Sequence, residues 1–219
     1  MKRLIFDEDH EMFRDSVRRF MQSEVAPHVE KWREQGMCDP EAFRKAGEQG
    51  LLCMWVEEAY GGLEITDFRF EQVVIEETIR HGDVGLFLSL HSRLVGPYIG
   101  QLGSETLKNR LLPRCISGET ILGVAMTESN AGSDLAGMKS RAVRDGDDWI
   151  LNGSKTYISN GINGGAFVVA ARTVPDKPHA IGLFVVEAGM DGFSRGRNLK
   201  KMGLKTQDTA ELFFENVRV

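Results

Sequence analysis

Near Gly118 the spacing of apolar residues changes from a helical period to the two-residue alternation of strands, so the chain must join a helical layer to a separate sheet. Ahead of that point, Phe6, Met12 or Phe13, Val17, Phe20, Val25 and Val29 recur at helical spacing over residues 7–34, with Pro27 expected to kink or divide the helix. Asp39-Pro40-Glu41 reads as an N-cap, a first-turn proline and an early acid, opening a helix that runs to about Gln49 and stops at Gly50. Asp67 caps another helix through Phe70, Val73, Val74, Glu77 and Ile79, a further one runs from about Val84 to Gly100, and Ser104 with Glu105 opens the last. Beyond Gly118, residues 139–144 and 148–151 alternate around Asp145-Gly146-Asp147 as a hairpin, and 167–172, 182–187 and 210–214 read as strands. The expected fold class is therefore α+β, with an all-α domain over 1–118 and a β domain over 119–219.

The stretch at the change of period, Gly-Val-Ala-Met-Thr-Glu-Ser-Asn-Ala-Gly-Ser-Asp over 123–134, places a short apolar strand at Val124, Ala125 and Met126. Thr127, Ser129, Asn130, Gly132 and Ser133 follow it in one loop rich in hydrogen-bond donors, where Gly132 allows a close approach to the backbone. Such clusters also make ordinary turns. A second stretch, Trp149-Ile-Leu-Asn-Gly-Ser-Lys-Thr-Tyr-Ile-Ser-Asn-Gly161, again mixes hydroxyls with an aromatic ring.

Read together, Met126-Thr127-Glu128, Ala131-Gly132-Ser133-Asp134, Leu151-Asn152-Gly153-Ser154-Lys155 and Ile158-Ser159-Asn160-Gly161 resemble, in order and spacing, the two flavin-binding signatures of the acyl-CoA dehydrogenase family, and its long-chain members above all. The resemblance extends along the whole chain. It implies a helical N-terminal domain and a β-barrel-like middle domain, and it adds a C-terminal helical domain with no counterpart in this sequence, so the chain is expected to be a fragment. It further implies flavin-dependent α,β-dehydrogenation of acyl-CoA thioesters, as in fatty-acid oxidation, with FAD bound by Val124, Ala125, Met126, Thr127, Gly132 and Ser133 on one side and by Tyr157, Ile158 and Ser159 on the other. Ser133 matches a serine that contacts the CoA moiety, although a serine before Asp134 is equally placed to cap a turn. Gly85 and Ser89, which fall with Ser92 and Gly96 at i, i+4, i+7 and i+11, are the expected floor of an acyl groove, and close helix packing would use the same stripe of small residues. The resemblance implies electron-transfer flavoprotein as electron acceptor and a homotetramer built as a dimer of dimers. It assigns the catalytic glutamate to the C-terminal domain, so no catalytic base is expected among these residues and Glu128 reads as structural. Ser129-Asn130 departs from the proline-containing pair usual in the family, and Glu57 stands where a proline usually precedes Tyr60-Gly61-Gly62. Two other readings remain open: a catalytically silent acyl-CoA- or flavin-binding module, and a flavin oxidase or monooxygenase of the same fold.

Other chemistries fail on spacing. Arg14 stands where a zincin's second histidine would follow His10-Glu11, no serine lies in Gly-x-Ser-x-Gly, and no Gly-x-Gly-x-x-Gly follows a strand. A net charge of −5 with both signs interspersed argues against nucleic acid, and the basic run Arg195, Arg197, Lys200, Lys201 and Lys205 reads as a solvated loop or a phosphate contact. Cys38, Cys53 and Cys115 are too scattered for a disulfide framework or a zinc site. No apolar run reaches membrane-spanning length and the N-terminus turns acidic at once, so the expected compartment is the cytoplasm, or the mitochondrial matrix in a eukaryote.

Overall fold

The computed structural model describes residues 4–80, 83, 85–175 and 177–219. They form two compact units. One holds the described residues up to Ile121 together with Lys201–Gln207, and the other holds Leu122–Lys200 with Asp208–Val219.

The first unit is helical: α1 Glu8–Phe20, α2 Val29–Gln35, α3 Glu41–Glu48, α4 Phe68–Arg80, α5 Gly96–Leu102 and α6 Glu105–Ile116. Asp7 caps α1 by accepting from the His10 N–H, three acids fill its first turn, and Arg18 and Arg19 close its last, all favourable to the helix dipole. Its inward face carries His10, Arg14, Val17 and Phe20. Pro27 divides the long helix as expected, through a π-turn at Met21–Val25 and a 3-10 turn at Ala26–His28. Two charges cross to α4, where Arg14 and Arg18 lie 3.2 and 3.1 Å from the fully buried Glu77 carboxylate. A carboxylate so placed would be costly without these partners. Val17, Phe20, Met21, Trp32, Phe43 and Leu52 are among the residues that build the core around them.

Two expectations for this unit change. Asp39 does not cap α3, because its carboxylate accepts from Gln35, Lys31 and the Trp32 indole and is thereby held down to about 2, leaving Pro40 at the cap position. The helix expected from Val84 to Gly100 starts late and winds unevenly: Val84 lies outside the described residues, Gly85 sits in a turn, helical winding begins at 88–89, passes through a π-helix at Leu90–Val95 and runs on into α5. Asp67 and Ser104 do meet the backbones of α4 and α6, accepting from Arg69 and Leu107.

The second unit is a curled seven-stranded sheet, with β1 Leu122–Ala125, β2 Arg141–Asp145, β3 Asp148–Ser159, β4 Ala166–Arg172, β5 Ile181–Glu187, β6 Phe193–Arg195 and β7 Thr209–Arg218. The order is β1-β4-β2-β3-β7-β6, with β5 paired to β4. β1 runs parallel to β4, Leu122 opposite Ala166, and β2 and β3 form the expected hairpin, Asp145 opposite Asp148, with Gly146 at φ 65° in the turn. Ala166 to Ala171 of β4 are all buried, as a strand flanked on both sides requires. β3 extends well past Leu151, its expected end, and pairs antiparallel with β7 through two register shifts, between Leu151 and Gly153 and between Lys155 and Ile158. β6 was not expected from its sequence.

Candidate functional site

The far half of β3 lies along β1 and the loop that leaves it. Asn160 donates its side-chain amide to the Leu122 carbonyl at 2.9 Å, Lys155 Nζ donates to the Met126 carbonyl at 3.0 Å, and the Thr156 N–H donates to the Thr127 carbonyl at 2.9 Å. Gly123 permits this approach, since a Cβ there would stand 2.8 Å from the Phe167 ring and 3.1 Å from the Ser159 carbonyl oxygen. The two donor-rich segments are thus one structural feature.

Beneath them lies an ion pair that the sequence reading did not assign. Lys155 Nζ is 2.9 Å from Glu128 Oε1, with both side chains nearly closed to solvent. Glu128 also accepts from the backbone N–H groups of Lys139 at 2.6 Å and Ser140 at 3.0 Å. Burial pushes the Glu128 carboxyl up, but hydrogen bonds from Ser140, Lys139 and Lys155 outweigh it and hold the group below its ordinary value. Burial also draws the Lys155 ammonium down, and Glu128 opposes that shift. Lys155 shares its side of β3 with Leu151, so alternation turns it inward once the strand is seen to run past Leu151.

Around this frame the expected residues divide. Ala125 and Ile158 are core residues and present only backbone to any ligand, while Val124 and Met126 are half-buried. The half-buried Thr127 and Ser159 have side-chain hydroxyls with no hydrogen-bond partner among the described residues. Tyr157 sits on the second register shift of β3 at φ 57°, a left-handed conformation that throws its ring outward, 69% exposed. Gly132 and Ser133 form the exposed tip of the loop. The following 3-10 turn, Leu135–Gly137, takes no side-chain cap, so Ser133 is not used as one. At Gly132, φ is not left-handed and nothing lies within 4 Å of where a Cβ would be, so the packing of the chain itself does not call for glycine.

In the helical unit, Ser89 lines a small apolar pocket of about 80 Å³ with Val74, Ile75, Thr78 and Ile79 of α4 and the 86–88 turn. The other small residues do not share its face. A Cβ on Gly85 would stand 1.7 Å from Thr206 Oγ1, Ser92 Oγ accepts from the Cys53 N–H at 3.0 Å, and Gly96 backs onto Trp55. The π-winding of 90–95 turns the expected stripe around the axis. The basic run disperses as well: Arg195 lies over the Phe167 and Phe193 rings and donates to the Gly164 carbonyl, Lys201 donates to that of Gln207, and Arg197, Lys200 and Lys205 are exposed. The three cysteines are buried and in no disulfide. Among the described residues no group of acids, histidines and cysteines is placed to hold a metal, and no helix is long and apolar enough to cross a membrane.

Residues 7–119 match the family described as acyl-CoA dehydrogenase, N-terminal domain, and residues 123–217 match acyl-CoA dehydrogenase, middle domain. The mitochondrial long-chain specific acyl-CoA dehydrogenase of Sus scrofa is 46% identical over 99% of this chain and 51% of its own length. The chain thus spans about half the length of the curated relatives it matches. The crystal structure of an acyl-CoA dehydrogenase from Geobacillus kaustophilus superposes with a TM-score of 0.95 at 45% identity, over 100% of this chain and 58% of that one. A glutaryl-CoA dehydrogenase from Mycobacterium smegmatis, solved in complex with FADH2, superposes with a TM-score of 0.88 at 33% identity, over 98% of this chain and 54% of that one.

Proposed function

The chain belongs to the acyl-CoA dehydrogenase family, and from that premise we propose that its β unit binds FAD and that it serves the α,β-dehydrogenation of acyl-CoA thioesters. The observation that carries this reading is the pairing of residues 122–128 with 155–160, which leaves two unpartnered hydroxyls, Thr127 and Ser159, on segments stitched to each other. The donor set fits a flavin. Neutral hydroxyls and backbone N–H groups suit a ring that gains electron density on reduction, and the open space at Gly132 suits close approach of a planar group or a phosphate.

FAD, when bound, supplies the acceptor for the hydride that leaves the β-carbon of the thioester. Thr127, Ser159 and the backbone of 124–127 and 158 hold and orient the ring, Tyr157 covers it with an aromatic face, and Ser133 reaches the CoA moiety. Ser89 contributes to the surface that receives the acyl chain, and we assign medium-to-long straight chains as substrates because Ser89 leaves its pocket open. Gly85 is retained as an acyl-groove residue only through its turn, since its own side is closed by Thr206.

Removal of the α-proton needs a carboxylate with a free lone pair. Glu128 is poorly placed to serve, being buried with three of its four acceptor sites already taken. Its oxygens already accept from Lys155, Lys139 and Ser140, so its part is to hold the loop, and the base is assigned to a residue outside the two segments. Electron-transfer flavoprotein as acceptor, a dimer of dimers as assembly, and the cytoplasm or the mitochondrial matrix as compartment complete the proposal on family grounds. Titration of the purified protein with FAD tests it: a saturable complex is expected, and Thr127→Ala with Ser159→Ala should weaken it.

A further inference from the structure

The three residues Met126, Thr127 and Glu128 are each held by β3, and Lys155 makes two of the three attachments. Its ammonium takes the carbonyl oxygen before Thr127 and the carboxylate after it, while Thr156 takes the carbonyl of Thr127 itself. Lys155 is 1% exposed, and its ammonium also lies 4.0 Å from the sulfur of Met138, which packs in a buried cluster with Ala131 and Ala170. An ammonium is a poor choice for filling such a space. Desolvating both ions opposes folding, and an apolar side chain of similar length would fill the same volume without that cost. What an apolar side chain cannot do is hold two points of the loop at once.

We propose that Lys155 is a positioning residue for the flavin site, fixing the backbone carbonyl before Thr127 and the side-chain carboxylate after it so that the Thr127 hydroxyl is presented in one orientation. This inference rests on the FAD assignment above. The bulge that follows at Thr156 and Tyr157 fits it. Alternation along β3 turns Lys155 inward, and the register shift between Lys155 and Ile158 then sends Tyr157 outward, so within three residues β3 supplies both the support beneath the loop and the aromatic ring at its surface. Glu128, held in turn by the 139 and 140 N–H groups, anchors the ammonium.

Lys155→Met alone strands a buried carboxylate and lowers stability whatever Lys155 does for the flavin. The test is therefore the double variant Lys155→Met/Glu128→Gln beside Glu128→Gln, each measured for melting temperature, FAD dissociation constant and the visible spectrum of the bound flavin. A structural role alone predicts that the double variant, once its melting temperature approaches that of the unaltered protein, binds FAD as tightly and with the same spectrum, and that result overturns the proposal. Positioning predicts at least a tenfold weaker complex with altered fine structure of the flavin bands. Glu128→Gln, which keeps Lys155 on the Met126 carbonyl but weakens its second attachment, should lose clearly less FAD affinity than the double variant, and a loss as large as that of the double variant would assign the effect to the carboxylate and overturn the role of Lys155. If the unaltered protein takes up no FAD, the flavin reading itself fails and this inference with it. If the unaltered protein binds and both variants bind equally well, only the inference fails.

Discussion

Thr156 donates its backbone N–H to the carbonyl of Thr127 at 2.9 Å, joining two segments that lie 29 positions apart in the sequence. The bond belongs to neither strand ladder proper. It continues, beyond the end of β1, the line of contacts begun by Asn160 with Leu122, and so carries the donor loop along β3.

Because the Thr127 and Ser159 hydroxyls take no hydrogen-bond partner among the described residues, removing either should leave the fold intact and weaken FAD. Thr127→Ala and Ser159→Ala are each expected to cost about 1–3 kcal/mol of FAD affinity with an unchanged melting temperature. Equal affinity in both variants would remove these hydroxyls from the site.

Two glycines separate packing from ligand approach. At Gly153, φ is 146° and a Cβ would stand 2.3 Å from Ser140 Oγ, so Gly153→Ala should destabilise the sheet by about 1–3 kcal/mol, read by urea denaturation. At Gly132 nothing is in the way, so Gly132→Ala should unfold at the same urea concentration as the unaltered protein yet bind FAD more weakly.

A third expectation concerns Glu71 on α4, a carboxyl 4% exposed whose Oε1 meets no hydrogen-bond partner among the described residues. Burial pushes it up to about 7, against the opposing pull of the Arg93 guanidinium. The folded protein therefore holds this proton more tightly than the unfolded chain does. Its contribution to stability is fully present below about pH 4.5, falls as pH rises toward 7, and levels off above that, a loss of about 3 kcal/mol. Glu71→Gln should remove this fall, making the variant more stable than the unaltered protein at pH 8 and much closer to it at pH 4.5. Parallel stability curves for the two proteins across that range would show that Glu71 is charged in the folded state.

The division into helices and strands was legible because each half keeps one apolar period, and the Asp7, Asp67 and Ser104 side chains mark real helix starts. What was not legible has a common cause in backbone irregularity. The π-turns at Met21–Val25 and Leu90–Val95 carry no residue signature, and the second separates Ser89, on the pocket beside α4, from Ser92 and Gly96, which both face Cys53 and Trp55, while Gly85 lies in the turn ahead of the helix. Lys201–Gln207 lies in a β-patterned region yet belongs to the helical unit, through the Thr206 carbonyl accepting from the Cys38 N–H at 2.7 Å, a contact across more than 160 positions that no local pattern announces. At the candidate site both segments could be read, but not the ion pair beneath them, since a lysine after Asn152-Gly153-Ser154 looks like an exposed turn residue until the strand is seen to run on to Ser159.

Ser89 provides the test of substrate length. If the proposed dehydrogenation is measured, Ser89→Glu, which would fill its pocket beside Val74, Ile75 and Thr78 with a charge, should shift the chain-length profile toward shorter acyl groups. A profile that keeps its shape would detach this pocket from the acyl chain.

The central claim, that residues 122–128 and 155–160 together form a flavin site, is tested most directly by incubating the purified protein with FAD, removing free flavin by gel filtration and recording the visible spectrum. The account predicts a yellow protein whose flavin bands differ from those of free FAD and whose flavin content falls in Thr127→Ala and Ser159→Ala. A colourless protein, or one whose flavin content is indifferent to both substitutions, would contradict it.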